Sequence, residues 1–279
     1  MIADSVYIIL VFGLIGLITN TIAWRKGFYS CCFYPAPPIS FKHVGYLFAI
    51  YIGTTYVLSS YFGALLQKYS LTTPTTGMLV FLQFVLIAFM LIGFFLYCTT
   101  QAKGVFNKIW KNPAVEPLTS PLHDFLLGAI AWLVAFPVVQ VVGQLLDMIL
   151  FTILRFEGYE QVAVKYLKTT LENPALAILA LVSIVIVAPI VEEFLFRGAL
   201  QTYLKRRMSP KAAILVASLC FGLFHFSFEQ GIGNISLIAS LFVFGSFLGY
   251  VYEKQGSLYA SIGLHLVFNF VSSVRILFG

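Results

Sequence analysis

Residues 175–198 read ALAILALVSIVIVAPIVEEFLFRG, an uncharged run from Ala175 to Val191 that closes on Glu192, Glu193 and Arg197. About 20 residues of apolar helix cross a hydrocarbon core, so this stretch predicts a transmembrane span. Ionisable side chains at such depth cost several kcal/mol unless paired or hydrated, so each is a functional candidate.

Outward from this segment, apolar runs of comparable length occur near 6–24, 45–66, 78–98, 125–151, 235–252 and 257–278, with a shorter one at 211–226. The chain of 279 residues is 60% hydrophobic and only 10% charged, with a mean hydropathy of +0.93. An ordinary soluble domain has roughly 25% charged residues. These runs predict an all-α, polytopic transmembrane helical bundle of about eight spans. It divides into an N-terminal region, 1–174, of four spans plus an amphipathic connector, and a C-terminal region, 175–279. The first run lacks a basic n-region, carries Asp4 nearby and is long for a signal peptide, so it reads as a retained span. Short connectors rich in Pro, Thr, Lys and Gly, such as 35–38 and 71–76, separate the runs.

The net charge is +6, but Lys and Arg sit in short clusters between apolar runs, which argues for topology signals and against nucleic acid as a partner. Eight spans put Arg25, Lys26, Lys42, Lys103, Lys108, Lys111, Lys205, Arg206, Arg207, Lys211 and Lys254 on one side. Lys68, Arg155, Lys165 and Lys168 fall on the other. The positive-inside rule then leaves both termini outside and the basic connectors in the cytoplasm. Such a chain is an integral membrane protein of the cell membrane in a bacterium, or of the ER membrane in a eukaryote, with the lipid bilayer as its first partner. Glu253 and Lys254 read as solvated loop residues. The four cysteines, Cys31, Cys32, Cys98 and Cys220, have no zinc-finger spacing. Cys31 and Cys32 fit unmodified loop thiols better than palmitoylation sites.

Three runs of the C-terminal region contribute polar groups: Glu192, Glu193 and Arg197 from one, His225 from the second, His265 and Asn269 from the third. Glu193 and Arg197, four apart with the acid first, are oriented for a same-face ion pair. Glu192 is rotated by about 100° from Glu193, which leaves one carboxylate free for chemistry while the other is neutralised. His265 and Asn269 share a face and aim two donors one way. Phe221 can pack beneath His225. Singly, each has an ordinary explanation: a helix-end ion pair, a satisfied core histidine, polar glue between helices. Together they exceed what packing requires.

A carboxylate beside an imidazole can hold and deprotonate a water. Donors on another helix can meet the oxyanion formed when that water attacks a carbonyl. The constellation suits peptide-bond hydrolysis without a covalent intermediate. The chain has no His-Glu-x-x-His motif, no Gly-x-Ser-x-Gly elbow and no paired intramembrane aspartates, the aspartates being Asp4, Asp124 and Asp147. Zinc held by Glu192, His225 and His265 stays open on ligand type, ranked below a site with no metal and no cofactor.

Glu192-Glu193-x-x-x-Arg197, Phe221-x-x-x-His225 and His265-x-x-x-Asn269, in this order on successive apolar segments, resemble the motifs of the CAAX protease and bacteriocin-processing family. This family, also called abortive-infection, includes the type II CAAX prenyl endopeptidases. The motifs cover about 175–275, and the first four spans rest on hydropathy alone. The resemblance implies an intramembrane glutamate protease with a cavity open to the cytoplasm. It implies Glu192 as the water-activating base with His225 as partner, Glu193 and Arg197 as the supporting pair, and His265 with Asn269 as oxyanion donors. The implied substrate is a peptide or protein: some members remove a tripeptide after a lipidated cysteine, while many bacterial members are linked to bacteriocin immunity, surface-protein processing or scaffolding. The family has often been labelled a metalloprotease. Two other classes stay open: a non-enzymatic membrane scaffold or immunity factor whose polar groups only pack helices, and a small transporter that uses Glu192 for proton coupling. The lack of a visible inverted repeat argues against the transporter.

Overall fold

Inside lipid no water satisfies backbone N–H and C=O groups, so apolar runs close those bonds within the segment, as helices. The computed structural model bears this out; it describes residues 2–30, 33–68, 75–102, 104–115, 119–156 and 161–278. Cys31, Cys32, Lys103, Glu157, Glu160 and the 71–74 part of a connector lie outside them.

The helices are α1 (Ile2–Arg25), α2 (Phe41–Ile52), α3 (Ser59–Lys68), α4 (Thr76–Thr100), α5 (Asn107–Trp110), α6 (Pro121–Leu154), α7 (Val162–Thr170), α8 (Pro174–Val182), α9 (Ala188–Glu193), α10 (Thr202–Lys205), α11 (Pro210–Phe224), α12 (Asn234–Gln255) and α13 (Leu258–Phe278). Wide π-type turns join α2 to α3, α8 to α9 and α9 to α10, so each set runs as one rod. Among the described residues the only extended pairing is an isolated bridge between Lys111 and Ser257. Among the described residues seven helices are long and apolar enough to span: Asp4–Arg25, Phe41–Leu65, Thr76–Thr100, Pro121–Leu154, Pro174–Lys205, Phe228–Gln255 and Leu258–Leu277. The eighth run forms α11, apolar but only 15 residues long.

Several helix starts are written locally. Ser120, Asn173 and Ser209 each accept a backbone N–H from the first turn and precede a proline at the first helical position. A polar cap followed by proline satisfies a free donor and presets φ. Helix contacts rest on missing side chains. A Cβ on Gly128 of α6 would stand 1.8 Å from the Ala260 carbonyl oxygen of α13, and one on Gly263 would stand 2.2 Å from that of Phe125. Close backbone approach of this kind is how helices associate where lipid is as apolar as leucine.

The basic connectors meet in one layer. Lys254 Nζ donates to the Gly27 and Ser30 carbonyls beyond α1, at 2.9 and 2.7 Å. Arg206 Nη1 donates to Ile39 O at 2.8 Å, and Asn112 N to Gly256 O at 2.7 Å. Lys111 pairs with the buried Asp124, to which Thr119 also donates. This layer corrects one expectation: Glu253 and Lys254 are not solvated loop residues. Both lie on the last turn of α12, and Glu253 is buried against Lys205 and the Gln201 amide. The connector to α13 is only Gly256-Ser257, with Gly256 at φ 56° closing the helix, so α12 carries its charges into the neighbouring connectors. At the opposite end, Lys165 of α7 pairs with Glu229 beyond α11 at 3.5 Å.

Candidate active site

The fifth span holds its carboxylates on α9, between two wide turns. A π-type turn breaks the regular ladder and is common at functional positions. Side chains satisfy the carbonyls it shifts: Asn269 Nδ2 donates to Ile184 O at 2.9 Å and Thr202 Oγ1 to Arg197 O at 3.0 Å.

Glu193 is fully buried, and its Oε1 accepts from Arg197 Nη1 at 2.9 Å and from His265 Nδ1 at 2.8 Å. Arg197, also fully buried, donates a second time through Nη2 to Gly245 O at 3.1 Å. Its guanidinium lies over the Phe221 ring, 4.5 Å from the centroid, an arrangement that stabilises a desolvated cation. A Cβ on Gly245 would stand 3.1 Å from Nη2, so glycine leaves room for this bond.

The two imidazoles are oriented through Nδ1. His265 spends Nδ1–H on the Glu193 carboxylate, and His225 spends it on Phe221 O at 2.9 Å. Both therefore turn Nε2 toward Glu192: His265 Nε2 lies 3.8 Å and His225 Nε2 3.9 Å from Glu192 Oε2. The bond at one ring nitrogen sets what the other can do. The exposure is graded, the side chains being 4% exposed at His265, 16% at Glu192 and 32% at His225. Gaps of 3.8–3.9 Å are too long for direct hydrogen bonds and suit a bridging water. A tetrahedral zinc at about 2.1 Å from each atom would draw its ligands to about 3.4 Å from one another. Among the described residues no group of three or more His, Cys, Asp or Glu is arranged to hold a metal ion.

Phe221 is the hub beneath these groups. Its ring meets His225 at 4.9 Å and His265 at 5.9 Å between centroids, besides carrying Arg197. Glu192, Glu193, Arg197, His225 and His265 thus come together from three segments. Asn269 sits on the same helix as His265, but one of its N–H groups is held by Ile184 O.

The pattern of residues does not announce the contribution of α12. Phe244 packs edge-on against His265 at 5.2 Å, and Gly245 supplies the Arg197 acceptor. Asn234 closes the loop that follows His225: its Oδ1 accepts from Ser227 N at 3.0 Å, and its Nδ2 donates to Ser227 O and Gly231 O, both at 2.8 Å. A polar residue before an apolar run is too common a signal to have singled it out.

Residues 174–271 match the family model described as type II CAAX prenyl endopeptidase Rce1-like. The match begins at the first residue of α8, ends within α13 and contains all six candidate residues. It supports the resemblance read from the motifs. It covers about a third of the chain, leaving α1 to α7 outside. No curated protein and no solved structure matches the chain.

Proposed function

With residues 174–271 similar to the type II CAAX prenyl endopeptidases, a family of membrane-embedded protein hydrolases, we propose that this chain cleaves peptide bonds with a water held between Glu192, His225 and His265. The observation that carries the proposal is the convergence of two Nε2 atoms on Glu192 Oε2, at 3.8 and 3.9 Å. Glu192 takes a proton from the water as its oxygen adds to the carbonyl carbon, and the carbonyl π electrons move onto oxygen. When the tetrahedral intermediate collapses, the C–N bond breaks and the proton passes from Glu192 to the leaving amine. A positioned base of this kind contributes roughly 10²–10⁴-fold. Glu193 and Arg197 hold His265 in place from behind. His265 Nε2 orients the water beside Glu192, and Asn269 offers its remaining N–H to the oxyanion.

Glu192→Ala and His225→Ala should abolish cleavage with expression and unfolding temperature intact; full activity in both would sink the mechanism. Membranes from Glu192→Ala cells should accumulate uncleaved precursors, and precursors bearing a lipidated C-terminal cysteine would make the substrate class CAAX-type. A phenotype that survives Glu192→Gln points instead to a scaffold or immunity factor. Activity should survive a chelator, and a loss restored by zinc would replace the metal-free site.

The basic layer is proposed to face the cytoplasm on the positive-inside rule. The resemblance asks for a site open to that side, although His225 ends α11 at the opposite end from Lys205 and Lys254. Labelling of Ser227→Cys with a membrane-impermeant maleimide decides the matter: reaction from the cytoplasm supports that opening, and reaction only from outside reverses it.

A further inference from the structure

The bonds that orient the two imidazoles leave the site short of donors. With Nδ1–H spent on Glu193 and on Phe221 O, the neutral rings offer only Nε2 lone pairs toward Glu192. One of the two Asn269 N–H groups is held by Ile184 O. An oxyanion in a water-poor site needs donors fixed where its charge develops.

The second span offers one. Tyr51 lies near the end of α2, where the wide turn Gly53–Leu58 begins. Thr54 and Thr55 hydroxyls donate to its carbonyl at 3.0 and 2.6 Å and brace its backbone. Its ring packs on Phe224 with 5.2 Å between centroids, and Phe224 immediately precedes His225. Phe196 and Phe48 hold Phe224 edge-on at 5.4 and 6.0 Å. The phenol lies within electrostatic reach of Glu192, and among the described residues its hydroxyl has no hydrogen-bond partner. Two other phenols at helix contacts are engaged: Tyr252 pairs with Thr202, and Tyr250 donates to Phe28 O.

We propose that Tyr51 is a hydrogen-bond donor of the reaction centre, its O–H directed to the scissile carbonyl oxygen as it becomes an oxyanion. The N-terminal region, outside the family match, then completes the site. The phenol keeps its proton throughout. This rests on the peptidase function proposed above.

The test uses the full chain reconstituted in bilayers and a fluorescence-quenched peptide with a farnesylated C-terminal CAAX segment, beside its unmodified twin. Tyr51→Phe keeps the ring on Phe224 and removes one donor, so kcat should fall about 10²–10³-fold while KM and the unfolding temperature stay put. Glu192→Ala is measured alongside. Cleavage by Glu192→Ala overturns the Glu192-centred mechanism on which the role of Tyr51 rests, and the absence of Glu192-dependent cleavage of either peptide overturns the peptidase function. An inactive Glu192→Ala beside a Tyr51→Phe of wild-type kcat overturns only the role of Tyr51, as does a raised KM at unchanged kcat. Independent of turnover, 3-fluorotyrosine at position 51 should shift its fluorine resonance on Glu192→Gln, and a resonance that does not move overturns the assignment.

Discussion

The first three spans bury 11%, 6% and 17% of their most apolar windows inside the protein, whereas the last two bury 39% each. All five are hydrophobic enough to cross a bilayer, so hydropathy does not separate them. Lipid solvates the outer spans as well as protein would, and their apolar side chains report only that they lie in a membrane. The last span carries the buried His265, and the fifth span, which buries 28% of its window, carries the buried Glu193 and Arg197 that join it, groups that lipid cannot satisfy. The contrast teaches that in this chain polar burial, and not apolar burial, identifies the working core.

The comparison breaks most forcefully at Arg197. Arg197→Met leaves the Glu193 carboxylate buried with one partner fewer, and removing one member of a buried pair costs about 3–5 kcal/mol. A lower unfolding temperature in detergent should accompany lost activity, and an unchanged temperature would mean that the inner core does not depend on the pair. Gly263→Ala comes next. Its new Cβ would meet Phe125 O at 2.2 Å, and overpacking of this kind costs about 1–3 kcal/mol. Asn234→Ala removes the three bonds that close the loop after His225. The expected loss is about 1–3 kcal/mol, with kcat reduced as well because the loop that follows His225 loses its closure. Smallest is Gly13→Ala in α1, where nothing lies within 4 Å of the added Cβ. Its unfolding temperature should hold or rise, since alanine favours helix over glycine by about 1 kcal/mol. A large loss there would show that the outer spans are packed as tightly as the inner ones.

Legibility in the sequence followed the range of each interaction. The Glu193–Arg197 pair was readable because four residues make one helical step, and it stands at 2.9 Å. The packing of Phe221 against His225, edge-on at 4.9 Å, was readable for the same reason. That Phe221 also carries Arg197 and meets His265 was not, since those contacts cross three segments. Glu253 was misread because its burial depends on Lys205, 48 residues away in the chain. Asn269 was assigned to an oxyanion from the face it shares with His265 and from the resemblance of its motif. Its bond to Ile184 O depends on a wide turn in another helix that no local pattern marks.

By itself, the sequence determined that the chain spans a membrane as a helical bundle, where its basic connectors fall, and which six polar residues stand out in its C-terminal region. These follow from hydropathy and helical periodicity, which add up along the chain. The tertiary structure decided which ring nitrogens face Glu192, that α11 stops after 15 residues with His225 at its end, and that the Tyr51 ring of the second span packs on Phe224. The depth and rotation of a helix in lipid are set by the neighbours it packs against, and those neighbours are distant in sequence.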